Sequence, residues 1–480
     1  MKTSTASHWR PFLHAFLIAI VMLWAMPRNA RAQTNSPQQP APIGAPPSKP
    51  YEPQAPSNEL RQLISQIDQS NLRATVEKLV SFGTRHTASS QTDPARGIGA
   101  ATDWVFQQLQ TYAASSSGNM TVQKQSFVQP VGPNIPVPTT ITNVIATLTG
   151  AVSPNRTYAI LAHIDDRVTD VLNFTSDSPG ADTDASGVAV VLELARVMAT
   201  RKPNATIVFS LVAGEEQGLF GSTFEAHQLA AAGVDVEGML NVDTVGSSTA
   251  QDGTKDAHEI RLFTEGVPTA ATAYTIALMK VIGNENDSSS RELGRFAKSV
   301  AENDATDMTI WPINRRDRYF FGGDQIAFQG QGFPAARFTE PNENFNHERV
   351  NVQVINGVQF GDLVSFLDFA FLARVARVNA ATIWSLAQGP GTPKNVALSL
   401  GFPPSNSTNL SWEQGTDPSL AGYEVVWRET DDSDWTHVIP IGNVTSVSFP
   451  FFPKDNFLIG VRAVEVNGHH SPVAYPALVH

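Results

Sequence analysis

The sequence predicts an α/β domain, a mixed but mostly parallel twisted sheet flanked by helices, followed by a small all-β sandwich. Three observations lead there. Nearly continuous apolar runs such as Ile207-Val208-Phe209-Ser210-Leu211-Val212 read as strands buried on both faces, the mark of a largely parallel sheet covered by helices. Between these runs lie segments whose apolar residues recur with the 3.6-residue period of a helix. After Gln388 the pattern changes to short alternating strands separated by turn residues. A chain of 480 residues fits two or three domains, and with 41% hydrophobic and 16% charged residues it can build a large core.

Residues 1–32 read as a secretory signal. Lys2 and Arg10 make a basic start, an apolar run extends from Phe12 to Met26 and ends near Pro27, and Ala30-Arg31-Ala32 places small residues where a signal peptidase reads. The run is short for a bilayer span, so removal is expected, not anchoring. Residues 33–57, rich in Pro, Gln, Ser and Ala, read as a disordered or polyproline-like tether. Helical periodicity begins at Asn58 (Leu60, Leu63, Ile64, Ile67, then Leu72, Val76, Leu79, Val80), and a further helix is expected over Gly99–Tyr112. Strands are expected at Thr142–Leu148, Tyr158–Ala162, Thr206–Val212, Gly238–Val242, Ile260–Thr264 and Ala335–Thr339. Helices are expected at Gly187–Thr200, Phe220–Ala232, Thr269–Ile282 and Val354–Asn379. Residues 58–387 thus form the α/β domain. Gly389, Pro390, Gly391 and Pro393 break the chain, and strands follow at Asn409–Trp412, Tyr423–Arg428, Ser446–Phe449 and Phe457–Val464 in a domain of residues 388–480.

The chain has no cysteine, which removes thiolate from the possible nucleophiles and ligands; export without disulfides fits a bacterial periplasm or exterior. The 33 basic residues face 45 acidic ones. Without residues 1–32, which carry four basic and no acidic residues, 29 basic remain against 45 acidic, a net charge of −16. With no long Lys/Arg run, nucleic-acid binding is excluded as an expectation.

Four short segments place metal-type residues at or just after strands: Ala162-His163-Ile164-Asp165; Pro179-Gly180-Ala181-Asp182-Thr183-Asp184-Ala185-Ser186-Gly187; Ala213-Gly214-Glu215-Glu216-Gln217-Gly218-Leu219-Phe220-Gly221-Ser222; and Asn241-Val242-Asp243. In open α/β sheets ligands bind beyond the carboxyl ends of the strands, so these residues can converge on one crevice. Imidazole and carboxylate without thiolate suit zinc, manganese or cobalt. Of two adjacent glutamates, one can bind metal while the other moves a proton. Each segment alone has a plainer reading: a hydrogen-bonding His–Asp pair, an N-cap, a charged helix start, a strand-end Asp. Their joint occurrence in this order favours a site.

In this order the segments resemble the bacterial leucyl aminopeptidase and glutamate carboxypeptidase-like family of co-catalytic zinc exopeptidases, over roughly Asn58 to Asn379. The resemblance implies the zinc exopeptidase fold and a role for each matching residue. His163, Glu216, Asp243 and His347 would ligate metal, with His347 lying after the strand Ala335–Thr339. Asp165 would orient His163, and Glu215 would be the general base. Asp324 matches a structural acidic position and carries no chemistry. The expected cofactor is one or two zinc ions, the expected activity removal of N-terminal residues from peptides or proteins.

One departure stands out. The family bridges its two metals with an Asp where this chain has Thr183, a neutral hydroxyl between Asp182 and Asp184. In order of preference, Asp182 or Asp184 turns inward as a substitute, the enzyme runs on one tightly held ion with a weak second site, or the chain has become an inactive peptide- or surface-binding protein. A carboxypeptidase on the same scaffold would use Arg315, Arg316 or Arg318 for a terminal carboxylate. A glutaminyl cyclase-like reading ranks below these, since such relatives hold their single zinc partly through the Asp that Thr183 replaces. The C-terminal segment resembles a fibronectin type III module, carried by Leu410-Ser411-Trp412, Gly422–Arg428 and Phe457–Val464, with Trp412 as core tryptophan and possible contact with a cell surface or polymer. The mature protein is expected outside the cytoplasm, secreted or periplasmic, without a membrane anchor.

Overall fold

The computed structural model describes residues 44–401 and 403–479; the expected signal segment and the first part of the tether lie outside them. Eight strands form the main sheet: β1 (Met120–Gln129), β2 (Thr139–Leu148), β3 (Ser153–His163), β4 (Ala205–Val212), β5 (Asp235–Val242), β6 (Glu259–Thr264), β7 (Thr309–Ile313) and β8 (Ala335–Thr339). Their spatial order is β1-β2-β4-β3-β5-β8-β6-β7. The central four, β4, β3, β5 and β8, run parallel. β1, β2 and the junction of β8 with β6 are antiparallel, which makes the sheet mixed as expected.

The period-2 alternation of a strand assigns its two faces to two apolar layers. On β3, Tyr158, Ile160 and Ala162 enter the larger layer, formed with helices Gln69–Val80, Ile98–Ala114, Ala185–Met198, Ser289–Ala301 and Phe369–Gln388. Ala159 and Leu161 enter the smaller one, with Ala226 of helix Phe220–Ala231 and Phe328 of helix Gln325–Gly330. All eight residues of β4 are buried, as its unbroken apolar run requires.

Three expectations change. The expected helix over Val354–Asn379 divides. Residues Gln353–Ile355 and Val358–Phe360 pair as an antiparallel hairpin across Asn356-Gly357, both at positive φ (52° and 82°), the turn chemistry that Asn-Gly favours. The helix begins only at Phe369, capped by Asp368, whose carboxylate accepts the N–H groups of Ala370 and Phe371. Likewise Thr269–Ile282 shortens to a helix over Ala273–Ile282 capped by Thr272. The end of the expected tether is not free. Lys49–Pro50 pairs with His437–Gly442 of the C-terminal region, the Tyr51 N–H donates to the Thr436 carbonyl at 2.9 Å, and the Arg462 guanidinium lies 4.5 Å from the Tyr51 ring centre.

The C-terminal region is two four-stranded sheets. One orders Lys49–Pro50, His437–Gly442, Leu420–Glu429 and Phe457–Glu465; the other Ser446–Phe449, Thr408–Ser411, Ala397–Ser399 and Ala477–Val479. Aromatic edges fill the region: Trp412 against Tyr423, and Trp427 against Phe452 and Phe457. This region packs on the amino ends of the main-sheet strands. Arg156 near the start of β3 pairs with Asp417 at 2.6 Å and donates to the Gly389 carbonyl, Glu237 near the start of β5 accepts the Thr392 N–H, and the Trp435 indole N–H donates to Glu292 at 2.8 Å.

Candidate metal centre

The opposite, carboxyl ends of the same strands carry the candidate site. His163 is the last residue of β3, Glu215 and Glu216 lie in the turn after β4, and Asp243 follows β5 directly. Gly187, in the first turn of helix Ala185–Met198, lets that helix press on β5: a Cβ there would sit 2.1 Å from the Val242 carbonyl oxygen.

His163, Glu215 and Glu216 each offer a ligand atom, all within 4.8 Å of one another. His163 Nε2 lies 3.7 Å from Asp243 Oδ1. His163 Nε2 is buried without a hydrogen-bond partner among the described residues, while Asp243 Oδ2 is ion-paired with the buried Arg337 Nη2 at 3.1 Å. An orphaned ring nitrogen beside carboxylates calls for an occupant such as a metal cation. Burial works against charge on His163, but Glu215 and Asp243 outweigh it and hold the imidazole well above its ordinary range. The donor set of one imidazole and several carboxylates therefore fits one zinc-type ion between His163 and Asp243.

Asp165 acts differently from the expectation. The Nδ1 of His163 bonds its backbone carbonyl at 2.9 Å, while the carboxylate lies 3.8 Å away. That carboxylate instead accepts the N–H groups of Glu215 (3.1 Å) and Glu216 (3.0 Å) and the Thr87 hydroxyl. It fixes the turn that presents both glutamates. Burial, seconded by Glu216 and Asp243, keeps Glu215 well above the usual carboxylate range, with His163 opposing. On Glu216 burial also pushes up, but Arg349 and Arg167 overcome it and the net direction is down.

His347 is not brought into the group. Its ring stacks on Phe366 at 3.5 Å with planes 5° apart, and burial lowers its basicity. Two residues on, Arg349 reaches in: its Nε donates to Glu216 Oε1 at 2.6 Å, and Arg167 Nε donates to Oε2 at 2.8 Å. The three residues of the bridging segment also turn away. Thr183 gives its hydroxyl to Asp362 at 2.6 Å; Asp182 accepts the Gly246 N–H at 2.7 Å; Asp184 pairs with the buried guanidinium of Arg85. The inward substitution preferred for Asp182 or Asp184 is therefore not what the structure adopts. Asp324 is buried, with burial first in raising its carboxyl to about 7.

Sequence reasoning missed Arg167, Arg349, Arg85 and Asp362. Arg167 stands two residues after Asp165, but an isolated arginine in a loop has no pattern of its own. Of the proposed carboxylate anchors, Arg318 is paired with Glu343 and Asp317, and Arg315 lies over the Tyr319 ring.

A family model described as peptidase family M28 matches residues 143–352, the stretch holding His163, Glu215, Glu216, Asp243 and His347. A probable zinc metalloprotease of Pyrenophora teres f. teres (strain 0-1) is 49% identical over 426 residues, 88% of each chain. A probable zinc metalloprotease of Pyricularia oryzae (strain 70-15) is 47% identical over 451 residues, 93% of this chain and 89% of that one. The chain belongs to peptidase family M28. Among solved structures, the aminopeptidase LapA of Legionella pneumophila is 16% identical, covering 69% of this chain and 74% of that one with a TM-score of 0.48. An aminopeptidase from Aneurinibacillus sp. strain AM-1 is 17% identical, covering 68% and 96% with a TM-score of 0.47.

Proposed function

We propose that the chain is an exported zinc-dependent exopeptidase that removes N-terminal residues from peptides. The observation that carries this reading is the convergence of His163, Glu215 and Glu216 at the carboxyl ends of β3 and β4, beside Asp243 and with His163 Nε2 unpartnered. The relatives described as probable zinc metalloproteases support the choice of metal.

His163 and Asp243 would hold the ion. When bound, zinc supplies a Lewis acid that polarises a carbonyl and acidifies water. Glu215, adjacent to that position and bound through its N–H to Asp165, takes a proton from water and returns it to the leaving amine. The Asp165 carboxylate and carbonyl hold Glu215, Glu216 and His163 in register with one another. The C-terminal region, which we read as a fibronectin type III-like module, packs at the far ends of the strands. From Arg156 to His163 is seven residues of strand, roughly 23 Å, so the module lies outside reach of a short peptide in the site.

Glu215→Gln should lower turnover by about 10²–10⁴-fold while leaving zinc content unchanged. Full activity in that variant would remove Glu215 from the chemistry. Peptides with a free amino terminus should be cut from that end and N-acetylated ones spared. Cleavage of N-acetylated peptides with a free carboxylate would mark a carboxypeptidase instead.

A further inference from the structure

We propose that this centre holds one metal ion and not two, because the guanidinium of Arg349, seconded by Arg167, stands where a second cation would. The inference rests on the metallopeptidase reading above and departs from the paired-ion site that the resemblance implies.

A second ion would need Glu216, a late histidine and a bridging carboxylate, and each is spent elsewhere. Both oxygens of Glu216 accept guanidinium N–H groups, from Arg349 at 2.6 Å and Arg167 at 2.8 Å, and its side chain is only 3% exposed. The His347 ring lies flat on Phe366. Position 183 is a threonine whose hydroxyl donates to Asp362. In this structure Asp182 and Asp184, the carboxylates flanking Thr183, are engaged with the Gly246 N–H and with Arg85.

Arg349 meets the electrostatic need that a second ion would meet. Its Nε faces Glu216 Oε1, its Nη1 lies 3.2 Å from Glu348 Oε2, and its Nη2 lies 3.8 Å from Asp243 Oδ1. Three nitrogens thus face three buried carboxylates, the fixed fork that suits guanidinium to such a cluster. Arg349 takes this position at φ 52°, a left-handed backbone uncommon outside glycine, whose cost the ion pairs offset. A dication placed against Glu216 would meet two positive charges in a buried pocket. The other position is more open: His163 Nε2 keeps no hydrogen-bond partner among the described residues and faces Asp243 Oδ1 at 3.7 Å, while Asp243 Oδ2 is paired with Arg337 Nη2 at 3.1 Å.

Elemental analysis and native mass spectrometry of the purified, zinc-loaded chain should give one zinc per chain, and cobalt-loaded protein should show an isolated high-spin ion without spin coupling. Thr183→Asp combined with Arg349→His, which removes the cation and supplies a carboxylate and a neutral imidazole, should raise the count to two. Arg349→Lys should leave it at one. Two ions on the unmodified chain would overturn this inference and leave the metallopeptidase reading standing; none would take both down. A folded double variant that still binds one ion would also overturn the role of Arg349. Should that variant fail to fold, the count and cobalt spectrum of the unmodified chain decide.

Discussion

Asp165 binds the backbone of both glutamates after β4, so the turn that carries Glu215, the proposed base, and Glu216 hangs on one carboxylate. Asp165→Asn keeps the volume but leaves one oxygen for two N–H groups and turns an NH2 toward one of them. Zinc affinity or turnover should fall by roughly 10–100-fold, the range for groups that orient a metal site from outside it. Unchanged zinc titration and unchanged kcat would refute that role. A second buried carboxylate governs stability, not chemistry. Glu225 is fully buried and accepts the Ser210 hydroxyl at 2.5 Å; burial first, then Asp324, raise its carboxyl from 4.5 to about 7. The fold therefore favours the protonated form. Its contribution is fully present below about pH 4.5 and is lost as pH rises through about 7. Glu225→Gln should match the wild type in Tm near pH 4.5 and exceed it at pH 8; parallel Tm curves would refute the assignment. At this scale the sequence showed His163, Asp165, Glu215, Glu216 and Asp243, because each sits in a short local motif at a strand end. It could not show Arg349 or Asp362, whose meaning comes from partners over a hundred residues away, Glu216 and Thr183. His347 illustrates the converse: its position after β8 suited a ligand, yet stacking on Phe366 decides where the ring goes.

The elements that aim the site were the most legible ones. β3, β4 and β5 carry apolar runs that nothing but a doubly covered strand explains, and helix Ala185–Met198 carries in its first turn a Ser-Gly pair that allows close approach. That approach is testable. A methyl at Gly187 would meet the Val242 carbonyl oxygen at 2.1 Å, and backbone cannot yield as a side chain tip can. Gly187→Ala should cost about 1–3 kcal/mol in unfolding free energy and shift Asp243, the next residue, enough to weaken zinc binding. Wild-type stability with wild-type zinc affinity would show that the helix retreats freely. Less legible was the stretch from 353 to 368. Its apolar residues suit a helix by period, but Asn356-Gly357 imposes two successive positive φ angles and makes a hairpin. Turn chemistry outweighed periodicity there, and the Asp368 cap set where the helix could begin.

For the molecule as a whole, composition separated an α/β part from a β part but could not show that they share a buried polar interface. Pro-Gly punctuation around Gly389 reads as a flexible boundary, whereas Arg156 closes it by donating to the Gly389 carbonyl and pairing with Asp417. Arg428 pairs with the buried Asp287 at 2.5 Å, Trp435 donates to the buried Glu292, and Lys49–Pro50 adds an edge strand to the C-terminal sheet before the chain enters its first helix. Removing the C-terminal region would leave Asp287, Glu292 and Arg156 without those partners, and buried charges stripped of a partner are strongly destabilising. A chain ending at Gln388 should therefore lose Tm steeply or fail to accumulate folded. The milder Trp435→Phe, which deletes one hydrogen bond to a buried charge and keeps the ring, should cost about 1–3 kcal/mol. Neither change touches the carboxyl ends of β3, β4 and β5, so folded Trp435→Phe should keep its kcat and its zinc content. A truncated chain with unaltered Tm would mean that the C-terminal region is a free spacer. Altered kcat in fully folded Trp435→Phe would mean that the two ends of the strands are coupled.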